Sequence, residues 1–102
     1  MTEKRQRINI ELGEKEAEGI YSNLAMISHT QSEVIIDFAR VLPGVPKGKV
    51  YARIVMTPQH AKLLENALAD NLGKFEGRYG KINVSPEEER NIGFQIPRES
   101  AP

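Results

Sequence analysis

The sequence predicts an α+β domain: an antiparallel sheet of three to four strands followed by one long C-terminal amphipathic helix. Three observations support this fold class. Apolar and polar residues alternate in several segments of the N-terminal half, as they do in half-buried strands. A loop with two prolines and two glycines separates the two strongest of these segments. Beyond them, apolar residues recur every three or four positions, which is the period of a helix.

The composition is that of one globular domain, and it argues against several functional classes. The 102 residues carry 14 basic and 14 acidic side chains, so a net charge of zero gives no long-range attraction for nucleic acid or an anionic membrane. Cysteine is absent, which excludes disulfides, thiolate metal sites and thiol catalysis. We find neither a secretory signal nor an apolar run of membrane-spanning length, and we expect a cytoplasmic protein.

The first part of the chain contains two apolar segments with a polar loop between them. The alternation of Ile8, Ile10 and Leu12 with polar residues predicts a half-buried strand. Residues 13–19, GEKEAEG, are polar and bounded by glycines, so we predict a loop. Residues 20–28 form a second apolar run, followed by a polar hairpin connection. Two registers of that hairpin fit the pattern, and the choice between them stays open.

The central strands are predicted at residues 33–42 and 49–56, EVIIDFARVL and KVYARIVM, on either side of the loop PGVPKGK. Alternation divides the side chains of the first strand between two faces. One face has Val34, Ile36, Phe38 and Leu42; the other has Ile35, Ala39 and Val41, with Asp37 among them.

An antiparallel register between these two strands follows from closing the loop with Leu42 opposite Val50. This register predicts two further opposite pairs, Phe38 with Ile54 and Ile36 with Met56. It also places Asp37 diagonal to Arg53, close enough for an ion pair.

The long helix is predicted to begin at Thr57 and Pro58 and to run to about Tyr79, before Gly80. One continuous apolar stripe follows its length: Ala61, Leu64, Leu68, Leu72, Phe75 and Tyr79. A helix of this length spans roughly 33 Å, enough to lie across the whole sheet. We predict that the stripe covers the face of Ile36, Phe38 and Ile54.

Residues 1–82 are therefore predicted to form a single domain, and residues 83–102 a polar C-terminal tail. The segment SPEEER is either unstructured or one helical turn. The alternation of Ile92, Phe94 and Ile96 indicates either a short docked strand or a flexible tail.

Two surfaces remain without a predicted partner. One is the second face of the sheet, and the other is a stripe of small residues on the helix; together they form a candidate interface of Ile35, Ala39, Val41, Tyr51, Val55, Ala69, Gly73 and Gly77. Residues 8–12 or the C-terminal tail could instead cover the sheet face within the chain. The helix could also fray after Gly73, which would explain its glycines. We expect a homo-oligomer, a dimer or a tetramer.

The sequence contains no catalytic, cofactor-binding or metal-binding constellation. His29, Glu33, Asp37 and His60 have ligand chemistry, but Glu33 and Asp37 lie roughly 13 Å apart along an extended strand and do not converge. The serines lack a general base at a fixed spacing, and no glycine-rich turn between a strand and a helix is present to hold phosphate. We do not expect an enzyme.

Two long segments of the chain are similar to a family of short bacterial and archaeal proteins known only as a domain of unknown function. They are YSNLAMISHTQSEVIIDFARVLPG and ARIVMTPQHAKLLENALADNLGKFEGRYGKI. The resemblance covers about residues 20–82, and MTPQHAKLLENAL is its most specific part. That family has no assigned activity, so the resemblance supplies a family without a mechanism.

A looser resemblance, at the level of fold, is to the export chaperone SecB. It rests on the strand order, on the turn QSEV at residues 31–34 and on the late long helix. The resemblance implies helices sandwiched between sheets in a dimer of dimers. The chain departs from that family in its shorter length, and in having at most SPEEER in place of a second helix.

The leading hypothesis is a non-enzymatic, oligomeric protein-binding or assembly module, chaperone-like in that its second sheet face or an exposed edge strand binds another polypeptide. The alternative is a nucleic-acid-binding regulator. In that alternative the phosphate contacts come from Lys4, Arg5, Arg7, Lys47, Lys49 and Arg53. Zero net charge and the lack of a basic–aromatic cluster in the sequence argue against it.

Overall fold

A computed structural model of the chain describes residues 8–85 and, for the backbone alone, residues 93–95. Six elements follow one another: α1 (Glu14–Ala17), β1 (Leu24–His29), β2 (Val34–Arg40), β3 (Lys49–Met56), α2 (Pro58–Tyr79) and β4 (Gly93–Gln95). The α+β class, with antiparallel strands followed by a long helix, is confirmed. The predictions made for Lys4, Arg5, Arg7, most of SPEEER, Ile92 and Ile96 lie outside the described residues.

The four strands form one sheet in the order β3-β2-β1-β4. β1 and β2 are antiparallel, and β4 lies parallel to β1 on its other side. The register of the first hairpin, which the sequence left open, pairs Ile27 with Ile36 and Ala25 with Phe38. A tight turn closes this hairpin, in which the Thr30 hydroxyl accepts hydrogen bonds from the two backbone N–H groups that precede β2.

The register between β2 and β3 differs by two residues from the predicted one. Ile36 lies opposite Ile54, and Phe38 lies opposite Ala52. The prediction was wrong because a shift of two residues leaves every side chain on its original face, so the hydrophobic pattern cannot distinguish the two registers. In the observed register Asp37 lies directly opposite Arg53 rather than diagonal to it.

The side chain of Asn23 extends the pairing of β1 and β2 beyond the end of both strands. Its amide Nδ2 donates to the carbonyl oxygen of Val41 at 3.0 Å, and its Oδ1 accepts from the N–H of Val41 at 2.9 Å. Ser22 adds a hydrogen bond of 2.9 Å from its hydroxyl to the carbonyl oxygen of Ala39. The two bonds from Asn23 satisfy the backbone groups of Val41, just beyond the end of β2.

The N-terminal segment differs from the prediction in both of its parts. Residues 8–12 do not form a strand, and their apolar side chains are exposed; Ile10 is 88% exposed. The segment predicted as a loop contains the one-turn helix α1. Alternating side chains alone do not make a strand, because a strand needs a neighbour for its backbone hydrogen bonds, and none of the described strands pairs with residues 8–12.

The boundaries of α2 are as predicted. The Thr57 hydroxyl oxygen accepts a hydrogen bond from the N–H of His60 at 3.1 Å, which caps the first turn, and Pro58 occupies the first helical position. Gly80 ends the helix with a φ of 104°, a conformation that favours glycine. The helix is continuous through Gly73, so the fraying interpretation is wrong.

The predicted packing of α2 on the sheet is also wrong. No residue of α2 is buried, and the core of the described chain consists of only Ala25, Ile36 and Ala39. The two-layer arrangement of helix on sheet is therefore absent within the single chain.

Candidate interaction surfaces

The apolar stripe of α2 is a continuous exposed surface. Its spacings of three and four residues average the 3.6 residues of one helical turn, so the stripe runs straight along one side of the helix. Leu68 is 54% exposed and Tyr79 is 68% exposed. At the C-terminal end, the rings of Phe75 and Tyr79 lie 4.9 Å apart and extend the same surface. We call this surface, formed by Leu64, Leu68, Leu72, Phe75 and Tyr79, the helix stripe.

The connection between β3 and α2 explains why the helix stripe stays uncovered. β3 ends at Met56 and α2 begins at Pro58, so Thr57 alone joins them. Thr57 is extended, with φ −72° and ψ 159°, and the ring of Pro58 fixes the next φ near −65°. Strand-to-helix loops that fold a helix back over its own sheet usually have two to six residues. This one-residue hinge directs α2 away from the sheet.

One face of the sheet offers an apolar surface of matching chemistry. Across three strands it contains a row in which Ile27, Ile36 and Ile54 are directly paired. Phe38 and Ala25 form the next row with Ala52, and Val34 lies between His29 and Met56 on the other side. Ile54 is 42% exposed, and Phe38 and Met56 are only half-buried. We call this surface the Ile36 face.

The opposite face is divided by an ion pair. Arg53 donates from Nε to Asp37 Oδ1 at 2.7 Å and from a terminal nitrogen to Oδ2 at 2.9 Å, a bidentate arrangement that confirms the predicted pair. This hydrogen bonding, with the positive charge of Arg53, holds the pKa of Asp37 below its ordinary value despite partial desolvation. The pair separates Ile35 and Val55 from Ala39. We call this surface the ion-pair face.

The sheet residues of the candidate interface do not all share one face. Ile35 and Val55 are directly paired on the ion-pair face, and Ala39 on the same face is buried. Val41 follows the end of β2 and is half-buried, with both of its backbone groups bonded to Asn23. Tyr51 was assigned to this face by alternation, and the structure places it elsewhere.

A β-bulge moves Tyr51. The pairing skips this residue: Phe38 lies opposite Ala52, and Ala39 lies opposite Val50. The ring of Tyr51 then lies against the guanidinium of Arg40, with a distance of 4.2 Å between the carbon of that group and the ring centroid. Simple alternation cannot anticipate a bulge, because the extra residue reverses the parity of everything on one side of it.

The small-residue stripe of α2 is exposed throughout. Ala69 and Gly73 each follow a residue of the helix stripe, so they lie about 100° around the helix from it. A Cβ atom added at Gly73 or Gly77 would meet nothing within 4 Å. Within the described chain, therefore, no close contact explains these glycines, and each costs about 1 kcal/mol of helix stability relative to alanine.

A basic pocket lies at the end of the sheet opposite the hinge. It is an open cavity of about 340 Å³, lined by Arg40, Leu42, Val45, Lys47, Gly48, Lys49 and Tyr51. The ammonium of Lys49 is 5.2 Å from the centroid of the Tyr51 ring, on which Arg40 also lies. This is a basic–aromatic cluster, which the sequence reading missed. Its signal was Arg40 before the loop PGVPKGK and the two lysines within that loop, followed by a tyrosine.

The described residues hold no cluster of three or more His, Asp or Glu side chains able to bind a metal ion. Of the metal-ligand candidates weighed in the sequence, Asp37 is bonded to Arg53. His29 lies opposite Val34, on the other face from Asp37. No helix within the described ranges is long and apolar enough to cross a membrane.

Comparison with known proteins gives one family and no characterised relative. Residues 1–84 match the model of the family described as "Protein of unknown function (DUF3467)". This match agrees with the resemblance seen in the sequence and extends it to the N-terminus. Neither the curated proteins nor the solved structures contain a significant match to the chain.

Proposed function

The chain belongs to the DUF3467 family of unknown function, and we propose that it is a non-enzymatic, homo-oligomeric assembly module of the cytoplasm. Its unit is a dimer in which each α2 lies on the Ile36 face of the other copy. The observation that carries this proposal is a complete helix of 22 residues with no buried side chain. Protein binding by the module uses surfaces that remain exposed in this dimer.

The energy available from covering the helix stripe supports the proposal. Removing a large apolar side chain from water contributes about 1.5–3 kcal/mol. The five side chains of the helix stripe together contribute on the order of 10 kcal/mol, as much as the whole stability of a typical domain. An isolated helix gains little from propensity alone in water. A partner that covers the stripe therefore provides most of the stability of α2.

A second copy is the partner that the chain itself supplies. Each copy has both a projecting apolar helix and an uncovered apolar sheet face, so two copies can satisfy both surfaces through one twofold symmetric interface. The one-residue hinge favours this exchange, because a short connection prevents an element from folding back and promotes swapping between copies. The leucines of the helix stripe fit the Ile36 face better than they fit the ion-pair face. On the ion-pair face they would have to cover the charges of Asp37 and Arg53, and removing charges from water is costly.

The small-residue stripe fits the same dimer. A helix that lies on a sheet beside another helix needs two contact surfaces roughly at right angles. The helix stripe and the stripe of Ala69, Gly73 and Gly77 lie about 100° apart around α2. We assign the first to the partner's sheet and the second to the partner's α2, where the glycines allow close approach of the two backbones.

Edge-to-edge strand pairing is disfavoured. β3 is an edge strand, and it has features that protect edges against pairing: the bulge at Tyr51 and the charged side chains of Lys49 and Arg53. The proposal therefore uses a face and a helix rather than the β3 edge.

Light scattering coupled to size-exclusion chromatography tests this proposal. A dimer of the 11.4 kDa chain has a mass of 22.8 kDa, twice that of the monomer. We expect Leu68→Asp, in the middle of the helix stripe, to dissociate the dimer. Leu63→Asp is the matched control, because Leu63 is an exposed leucine on the other side of the same helix. A wild-type mass of 11.4 kDa, or equal behaviour of the two variants, would contradict the proposal.

A further inference from the structure

We propose that the basic pocket binds the phosphate group of a small organic phosphate monoester. The first observation is a pair of like charges. Arg40 and Lys49 are directly opposite each other at the ends of β2 and β3. Like charges in this position destabilise a pair of strands, and Lys47 adds a third cation to the same pocket. A bound dianion would offset this repulsion.

The geometry of the pocket prepares these cations for an anion. The ring of Tyr51 packs against the guanidinium of Arg40 and is near the ammonium of Lys49, which restricts both side chains. The Nε of Arg40 is buried, and it has no hydrogen-bond partner among the described protein atoms. A buried N–H without a partner is costly. The guanidinium of Arg40 and the ammonium of Lys49 are charged donors of the kind that form strong hydrogen bonds with phosphate oxygens.

The surroundings of the pocket also favour an anion. None of its lining residues is acidic. Three other cations in the described part of the chain have carboxylate partners, in the pairs Arg53–Asp37, Lys62–Glu65 and Lys74–Asp70. The cations of the pocket form no ion pair with a described residue. Three positive charges and no negative one therefore surround a single cavity.

The size and position of the pocket indicate a small ligand. A volume of about 340 Å³ is at the lower end of the range for small-molecule sites. Leu42 and Val45 provide an apolar wall for the organic part of the ligand. A nucleic-acid strand needs a track of cations, and the nearest candidate on β3, Arg53, is bonded to Asp37 on the other face.

Titration of the full-length protein with adenosine 5′-monophosphate, followed by backbone amide NMR shifts, tests the proposal. At pH 7 or above, the phosphate carries close to two negative charges. We expect saturable shifts at residues 40–51, and we expect Lys49→Gln to weaken binding by about tenfold or more, as loss of a charged hydrogen bond does. Lys15→Gln is the control, because it removes the same charge from α1.

Stability provides a second readout. Because Lys49→Gln removes the like-charge pair, we expect it to raise the Tm of the ligand-free protein while it weakens binding. A residue with only a structural role would not change these two quantities in opposite directions.

Three results would overturn the proposal. The first is no shift at millimolar ligand. The second is equal affinity for inorganic phosphate and the nucleotide, which would rule out a contribution from the organic part. The third is an affinity for single-stranded DNA that rises with its length, which would indicate an extended nucleic-acid site. The two residues replaced in this test, Lys49 and Lys15, belong neither to the helix stripe nor to the Ile36 face, so failure of phosphate binding and failure of the dimer are distinguished by separate variants and separate measurements.

Discussion

The sheet and α2 differ in how many of their hydrogen bonds and apolar contacts the single chain provides. In the sheet, each strand finds neighbours within the chain for its backbone hydrogen bonds, and Ala25, Ile36 and Ala39 become buried. In α2 the backbone bonds are all internal to the helix, and the side chains of the helix stripe stay exposed. The difference teaches that local signals can specify a helix completely even where the same chain does not cover its apolar surface.

The first test of this comparison changes the connection between β3 and α2. If Thr57 alone prevents α2 from folding back, insertion of about four flexible residues between Met56 and Thr57 should allow α2 to cover its own Ile36 face. We expect the inserted variant to be a monomer with the helix content of the wild type, measured by light scattering and circular dichroism.

A control insertion of the same residues after Gly80 lengthens the chain without changing the hinge. We expect it to keep the wild-type mass. If the hinge insertion leaves the dimer intact, the short connection is not the reason why each α2 lies on the sheet of the other copy.

The choice of sheet face can be tested with two adjacent residues of β3. Ile54 and Val55 have similar exposure, 42% and 51%, and point to opposite faces of the sheet. We expect Ile54→Lys to weaken the dimer by at least about 100-fold in Kd, since a charge would be buried under the partner's helix. Val55→Lys should change the Kd little.

Analytical ultracentrifugation over a range of concentrations measures both constants. The opposite order of effects would place α2 on the ion-pair face, and equal large effects would show that both faces are covered.

Truncation within α2 probes the same contact with a smaller change. We expect Leu72→Ala to lower the free energy of unfolding by about 3 kcal/mol per chain, as at a buried leucine. Leu63→Ala, on the other side of the helix, should stay within about 0.5 kcal/mol of wild type. Urea unfolding at fixed protein concentration gives both values. Two small, similar effects would mean that the helix stripe remains exposed in solution.

The smallest effect concerns the ion pair of the sheet. The pKa of Asp37 is lowered in the folded state, so its contribution to stability is fully present above the unfolded value of about 3.9. This contribution is lost as the pH falls through the lower folded value. We expect Asp37→Asn to reduce stability at pH 7 and to flatten the loss of stability below about pH 4.

Thermal unfolding between neutral and strongly acidic pH measures that profile. Arg53→Gln should flatten it in the same way, and the double variant should add nothing further. Additive effects of the two substitutions would show that the two side chains act separately.

The sequence predicted elements with strong local chemistry well. Thr57, Pro58 and Gly80 gave both ends of α2, because capping and chain-terminating residues act on the backbone next to them. The Asp37–Arg53 pair was also predicted, although the register around it was two residues off. Parity is preserved by such a shift, so a pattern of alternation cannot reveal it.

The errors concerned contacts between distant parts of the chain. The alternation of Ile8, Ile10 and Leu12 predicted a strand, but the described fold provides no neighbour for it. The docking of α2 was predicted from apolar surface alone, although the single residue between Met56 and Pro58 already argued against it. The position of Tyr51 depended on a bulge, whose location is decided by the packing of both strands together.

The central claim is that the helix stripe of one copy lies on the Ile36 face of another. An isotope-filtered NOE experiment on a mixture of two samples tests it directly: one has labelled leucine methyl groups, and the other has labelled isoleucine methyl groups. We predict contacts from Leu64, Leu68 and Leu72 to Ile27, Ile36 and Ile54 that arise only between chains. Absence of these contacts from the mixture, with the same contacts present in a sample that has both labels in one chain, would contradict the account.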